Sequence, residues 1–170
     1  MVNVFSYKTT EWMTWKEQLM GLERLYLDKT HETEESKKFM LDNGICFLAE
    51  SEGILIGEAY GMQLDKWPVE DDDPELSHWL ELKRQFVSKP IFYISACGVV
   101  EQSKSQKLSR RLFNSLLKAS KNSGYKMILY HTQEKIKNLL IKWCSAEVLQ
   151  VLPTWYGEQI PHFLCKVSLD

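Results

Sequence analysis

Between Cys97 and Phe113 the chain reads CGVVEQSKSQKLSRRLF. An apolar run gives way to a polar loop, and Lys104, Lys107, Arg110 and Arg111 crowd that loop and the first turns of the helix that follows. A helix N-terminus already carries partial positive charge and N–H groups without intrahelical partners, so cations placed there oppose the dipole and one another. A bound anion reverses the sign, because loop amides, dipole and side chains then converge on one negative group. The plain alternative is a solvated basic helix face. Position directly after an apolar strand speaks for the anion, since ligands of α/β sheets bind beyond the carboxyl ends of strands. Leu108, Leu112 and Leu116, flanked by Phe113 and Leu117, form the buried stripe and leave Lys107, Arg110 and Arg111 toward solvent.

These residues need elements to hold them. VNVFSY reads as a short strand, and TTEWMTWKEQLMGLERLYLD as an amphipathic helix, with Thr9 or Thr10 as N-cap and Trp12, Trp15, Leu19, Leu22 and Leu25 at helical spacing. A more polar helix in HETEESKKFMLDN is closed by Gly44. ICFLAE and GILIGEAYGMQL are strands joined through Ser51, Glu52 and Gly53, which is hairpin chemistry. The acidic stretch from Val69 to Pro74 reads as an exposed loop, and PELSHWLELKRQF as a short helix with Pro74 near its first position. IFYISACGVV has the near-continuous apolar run of a strand buried on both faces. After the basic loop and its helix come the strand MILYHT, the helix QEKIKNLLIKWCSAE and the strands EVLQVLPTWY and HFLCKVSL. The expected fold class is α/β: a central mixed sheet flanked by helices on both faces, in one domain over 1–170 with an acidic, helical insertion at about 64–89.

At 170 residues and 44% hydrophobic content, the chain can bury one sizeable core. A formal charge of -2 and a pI near 6.1 give no overall basic field, so coating of nucleic acid through bulk charge is disfavoured and any basic site is local. Cys46, Cys97, Cys144 and Cys165 are widely spaced, without a C-x-x-C pair or a His at metal-ligand spacing. They read as reduced core thiols, with no metal expected. The opening residues lack the pattern of a signal peptide, and no run approaches the ~20 apolar residues of a membrane span. The expectation is a soluble, cytoplasmic protein with no membrane partner.

In its place and composition VVEQSKSQKLSRRLF resembles the pyrophosphate loop of the GCN5-related N-acetyltransferase (GNAT) superfamily, and the order of elements resembles that family over nearly the whole chain. There the fourth strand runs into a loop of the form Gln/Arg-x-x-Gly-x-Gly/Ala, whose amides hold the pyrophosphate of acetyl-CoA. Lys104 falls at the Gln/Arg position, Lys107 at the first glycine and Ser109 at the Gly/Ala. The chain therefore departs from the pattern at both glycines, and these side chains narrow the approach to the phosphates or add donors of their own. The resemblance implies acetyl-CoA as co-substrate, held by Val99, Val100, Lys104, Ser105, Lys107, Leu108, Ser109 and Arg110. Trp143 stands where the family often has a Tyr that protonates the departing thiolate, with Glu147 and Val148 at the following Gly-Phe positions. An indole N–H is far too weak an acid, so Trp143 is a wall of the site or core.

The family's general base is commonly a Glu on the fourth strand, and here Tyr93 falls in that place, with no carboxylate between Ile91 and Val100. Candidates for the catalytic groups are Tyr93, His131 at the end of the fifth strand and Glu58 on the preceding strand, with Tyr60 and Tyr130 as further phenols. Each also has a structural reading, as core aromatic, capping histidine or strand carboxylate. Holding a thioester beside an amine does much of the work without any base. The small residues Ser95 to Gly98 suit the family's splayed fourth and fifth strands, where the pantetheine arm lies along the fourth. VEDDDPE suggests a cationic acceptor, either a small molecule or a basic protein segment. With Trp67 and Trp79 beside it, the insertion reads alternatively as a protein-binding or homodimer surface. The implied activity is transfer of an acetyl group from acetyl-CoA to an amine acceptor by direct attack. The alternatives are a GNAT-fold binding or inhibitory protein without that chemistry, and a GNAT-fold enzyme using another donor or acting on nucleic acid.

Overall fold

The computed structural model describes residues 2–22, 33–87, 89–103 and 106–169. In chain order the elements are β1 (Val2–Ser6), α1 (Trp12–Leu22), α2 (Glu34–Asn43), β2 (Ile45–Ser51), β3 (Ile54–Gln63), α3 (Leu76–Gln85), β4 (Ile91–Val99), α4 (Gln106–Asn122), β5 (Met127–Gln133), α5 (Glu134–Cys144), β6 (Glu147–Leu152) and β7 (His162–Ser168). The strands form one seven-stranded sheet in the order β1-β2-β3-β4-β5-β7-β6. It is mixed: β4 and β5 run parallel, while β1–β2, β2–β3, β5–β7 and β6–β7 are antiparallel. The α/β class expected from the sequence is therefore observed. The chain falls into two compact units, Met1–Met62 with Ser95–Asn122, and Gln63–Ile94 with Ser123–Asp170.

In the first unit, β3 is buried over Leu55 to Met62, so its sequence has no polar face to spare. The β2–β3 hairpin turns at Glu52 (φ 56) and Gly53 (φ 80), consecutive left-handed residues of the kind that match strand twist. Gln18 of α1 clamps that turn, donating to the Gly53 carbonyl at 3.2 Å and accepting from the Leu55 N–H at 2.7 Å. Thr9 and Thr10 lie in a 3-10 turn ahead of α1, and the entry is fixed by Glu11, whose carboxylate accepts from the Lys8 N–H at 2.8 Å. The expected continuation of α1 through Leu25 lies outside the described residues. Thr33 and Ser36 cap α2 reciprocally, each hydroxyl accepting from the other's N–H at 3.1 Å. Gly44 does follow α2, but its φ of -116 is ordinary extended backbone. Close approach is what requires glycine there, since a Cβ would lie 2.1 Å from the Gly61 carbonyl oxygen and 2.6 Å from that of Met40. On α4, Leu108, Leu112, Phe113 and Leu116 are buried and the helix packs on β2.

The second unit pairs β4 with β5 from Ile91–Met127 to Ile94–Tyr130. β5 then pairs with β7 along its whole length, to Gln133–His162. The β4–β5 pairing ends where Ser95 opens the run of small residues. Its core gathers Leu64, Trp79, Leu82, Phe86, Ile91, Tyr93, Leu129 and Leu164. Trp79, Leu82 and Phe86 are the inward stripe of α3 and its end, and each such side chain removed from water stabilises by about 1.5–3 kcal/mol. Trp79 is 2% exposed, which corrects the expectation of an exposed interface aromatic; Trp67 is half-buried against it, ring centroids 5.4 Å apart. Pro74 lies ahead of the α3 N-cap, Glu75, and not within the helix. Ser145 ends α5 in the left-handed region (φ 53), its N–H donating to the Ile141 carbonyl.

Candidate functional site

Each unit contributes one cluster with chemical potential. In the first, a cavity of about 330 Å³ lies beside the start of α4, lined by Ser103, Lys107, Leu108 and Arg111 together with Val2, Ser51 and Ile56. Lys107 and Arg111 are one helical turn apart and so share a face, while the leucine, valine and isoleucine supply apolar wall. Both cations are exposed, as is Arg110, and Ser109 is half-buried. Lys104 and Ser105, assigned to the same loop from the sequence, lie outside the described residues. Val99 and Val100 are buried at the end of β4. The Val100 N–H donates to the Ile56 carbonyl at 2.9 Å, so that donor is already engaged within the sheet. Positive side chains over an apolar wall at a helix start suit a ligand that is anionic at one end and apolar beyond it.

In the second unit, Tyr93 and His131 meet. The Tyr93 hydroxyl is 2.8 Å from His131 Nδ1, and His131 Nε2 is 3.0 Å from Nε2 of His78 on α3. Tyr93 is 5% and His131 7% exposed, whereas His78 is half-buried. Trp155 stacks on His131 at 4.2 Å between centroids and 17° between planes, and Trp79 makes T-shaped contacts with Tyr93, His78 and His131. Burial, then the neighbouring His78 and His162, hold His131 well below the ordinary histidine value. Burial also lowers His78, against a raising contribution from Glu75. Both rings are therefore neutral near pH 7, and each has one nitrogen that donates and one that accepts.

The acidic loop is partly consumed by structure. The Tyr156 hydroxyl donates to Asp73 at 2.8 Å while accepting from the Trp79 indole N–H at 3.0 Å, and the Tyr156 N–H donates to Glu75 at 3.0 Å. Glu70, Asp71 and Asp72 remain exposed. Glu58, the third catalytic candidate, belongs to the first unit, where it is fully buried on β3 and forms an ion pair with Lys37 of α2 at 3.1 Å. Tyr60 is fully buried beneath that pair, with Lys37 Nζ 5.0 Å from its ring centroid. Trp143 is half-buried in the last turn of α5, and Tyr130 is half-buried on β5. All four cysteines are free thiols, and among the described residues no group of His, Cys, Asp and Glu is arranged to hold a metal ion. No described helix is long and apolar enough to cross a membrane.

Sequence reasoning missed His78, Trp155 and Tyr156. The α3 periodicity that points Trp79 inward also places its neighbour His78 at the margin of the core, which was a usable signal. Nothing local joins His78 to a partner 53 residues away.

A scan against protein-family models gives no match, and neither does a search of curated proteins. Solved structures, in contrast, match over the full chain. An aminoglycoside 6'-N-acetyltransferase complexed with coenzyme A is 14% identical, with a TM-score of 0.69 over 99% of this chain and 97% of that one. A putative acetyltransferase from Salmonella typhimurium, solved with acetyl-CoA, is 12% identical, with a TM-score of 0.66 over 100% and 95% of the two chains. An acetyltransferase of the GNAT family from Streptococcus pneumoniae is 14% identical, with a TM-score of 0.67 over 100% of both. At such identities the likeness is one of fold, and the chain has the fold of these acetyltransferases.

Proposed function

We propose, from a fold shared with GNAT acetyltransferases, that the protein transfers an acetyl group from acetyl-CoA to an amine acceptor by direct attack. Full-length likeness to structures that carry coenzyme A and acetyl-CoA is the observation that supports the reading most strongly. Acetyl-CoA supplies an activated thioester: the amine forms the C–N bond, the C–S bond breaks, and the electron pair leaves with the thiolate. The chain's part is to hold and orient the two reactants and to take up the amine's proton.

Lys107, Ser109 and Arg110, with Lys104, Ser105, Val99 and the Leu108 backbone, are the residues proposed to hold the anionic end of the donor. Arg111 joins them because it lines the same cavity as Lys107. Val100 contributes its position but not its N–H, which Ile56 occupies. Trp143 is a candidate wall of the donor site. Tyr93 and His131 belong to the proton-handling chain, while Glu58 is held in its ion pair with Lys37. The exposed carboxylates Glu70, Asp71 and Asp72 favour a cationic acceptor, whose ammonium they attract before it is deprotonated.

The test is thiol release from acetyl-CoA over a panel of polyamines, aminoglycosides and basic peptides. Acceptor-dependent release supports the reading, and its absence throughout the panel refutes it. A second reading, a GNAT-fold binding protein without acetyl transfer, draws on the side chains at both loop-glycine positions and on the engaged Val100 N–H. It predicts no affinity for coenzyme A together with a stable protein complex.

A further inference from the structure

The helical insertion supplies one end of the hydrogen-bonded chain His78–His131–Tyr93. Exposure falls along it, from half-buried His78 to His131 at 7% and Tyr93 at 5%. His78 is thus the member of the chain most open to solvent, and the one an incoming proton can reach. The ring's contact with His131 is through Nε2, so Nδ1 is the nitrogen of His78 that the chain does not use.

Two tautomeric arrangements satisfy the chain. In one, the Tyr93 O–H donates to His131 Nδ1, and His131 Nε2–H donates to His78 Nε2, leaving an N–H outward on His78. In the other, His78 Nε2–H donates to His131 Nε2 and His131 Nδ1–H donates to the Tyr93 oxygen. That second arrangement leaves a lone pair on His78 Nδ1, which is the form a base requires. The rings are fixed in register by Trp155, stacked on His131 and edge-on to His78 at 5.2 Å, and by Trp79. A proton added at Nδ1 stays on His78, because burial disfavours the imidazolium at His131 much more strongly. The charged and titratable groups facing His78 are Glu75 on its own helix, which favours the protonated ring, and His131 on β5, itself facing His162.

We infer that His78 is the general base that accepts the acceptor amine's proton on Nδ1, with His131 and Tyr93 as positioning residues that set its tautomer and orientation. The inference rests on the acetyl-transfer reading. As the C–N bond forms, the amine N–H bond breaks and its proton passes to His78; the thiolate departs with the C–S electrons, and His78 then returns the proton to the thiolate or to water.

The experiment is a pH profile of kcat/KM for acetyl-CoA turnover, on wild type and on His78→Gln, His78→Ala and Tyr93→Phe. His78→Gln keeps an N–H toward His131 but has no basic nitrogen, and it guards against misfolding of the alanine variant. Wild type is expected to lose activity on the acid side below the ordinary histidine value. Both His78 variants are expected to lose that limb and to fall by roughly 10²–10⁴-fold with an unchanged KM for acetyl-CoA. Added imidazole is expected to restore part of the rate to His78→Ala. Tyr93→Phe is expected to retain the limb, displaced, with a smaller loss confined to kcat. Wild-type turnover matched by His78→Gln, with the same limb, overturns this inference and leaves the acetyl-transfer reading intact. A folded wild type that turns over no acetyl-CoA overturns both.

Discussion

Replacing Glu58 with glutamine separates a structural carboxylate from a catalytic one. The Glu58 and Lys37 side chains are 0% and 2% exposed and 3.1 Å apart, and the pair joins α2 to β3 in the first unit. Two charges removed from water depend on each other, and neutralising one takes this 3.1 Å ion pair away from the other. Breaking such a pair from one side costs about 3–5 kcal/mol. At about 2–4 °C per kcal/mol for a chain of this size, the melting temperature is expected to fall by roughly 6–20 °C. The double variant Lys37→Met/Glu58→Leu removes both charges and keeps comparable volume, so it is expected to recover most of that loss. Calorimetric melts give the stabilities, and thiol release per folded molecule, measured well below the melt, gives the activity. A Glu58→Gln protein that melts like wild type but turns over 10²-fold or more slowly, on the scale of a lost general base, refutes this account of Glu58.

The folded-state value of His131 is depressed, so as pH falls below 6.5 the unfolded chain takes up a proton that the folded one does not. Stability is therefore full above that value and declines toward acid, by at most about 1.4 kcal/mol per pH unit from this ring. Urea midpoints across the acid range check it, and a midpoint independent of pH, or one that His131→Gln leaves equally pH-dependent, counts against it. Gly44→Ala places a Cβ 2.1 Å and 2.6 Å from two main-chain oxygens, neither of which is free to swing away. A loss of about 1–3 kcal/mol or more is expected, read from the same midpoints, and an alanine variant as stable as wild type contradicts the packing described.

The architecture was legible where local chemistry and periodicity agreed. The Ser51–Gly53 segment is legible as a hairpin because Gly53 takes positive φ without steric cost, and Glu52 enters the left-handed region beside it; Leu108, Leu112 and Leu116 face inward because their spacing leaves no other apolar face. Gly44 closes α2 as its position in the sequence implies, but the need for glycine comes from the Gly61 carbonyl a strand away, which no local pattern encodes. At Trp79 two sequence signals conflict: the acidic residues before it argue for an exposed segment, while its helical stripe with Leu82 and Phe86 points inward, and the stripe prevails. Tyr93 and His131 could each be singled out by residue type and position, but their contact, and the link to His78, depends on β4–β5 register and on where α3 lands. Those are tertiary facts that no short window of sequence contains. The acidic loop likewise lost Asp73 and Glu75 to Tyr156, a partner more than 80 residues away.

Calorimetric titration of coenzyme A and acetyl-CoA into wild type and into Lys107→Ala/Arg111→Ala addresses the central claim most directly. Micromolar binding to wild type, weakened about 10–100-fold when the two cations beside the α4 cavity are removed, is the predicted result. A well-folded wild type that binds neither compound contradicts an acetyl-CoA-dependent function, and equal affinity in the two proteins contradicts the cation-lined cavity as the place where the donor is held.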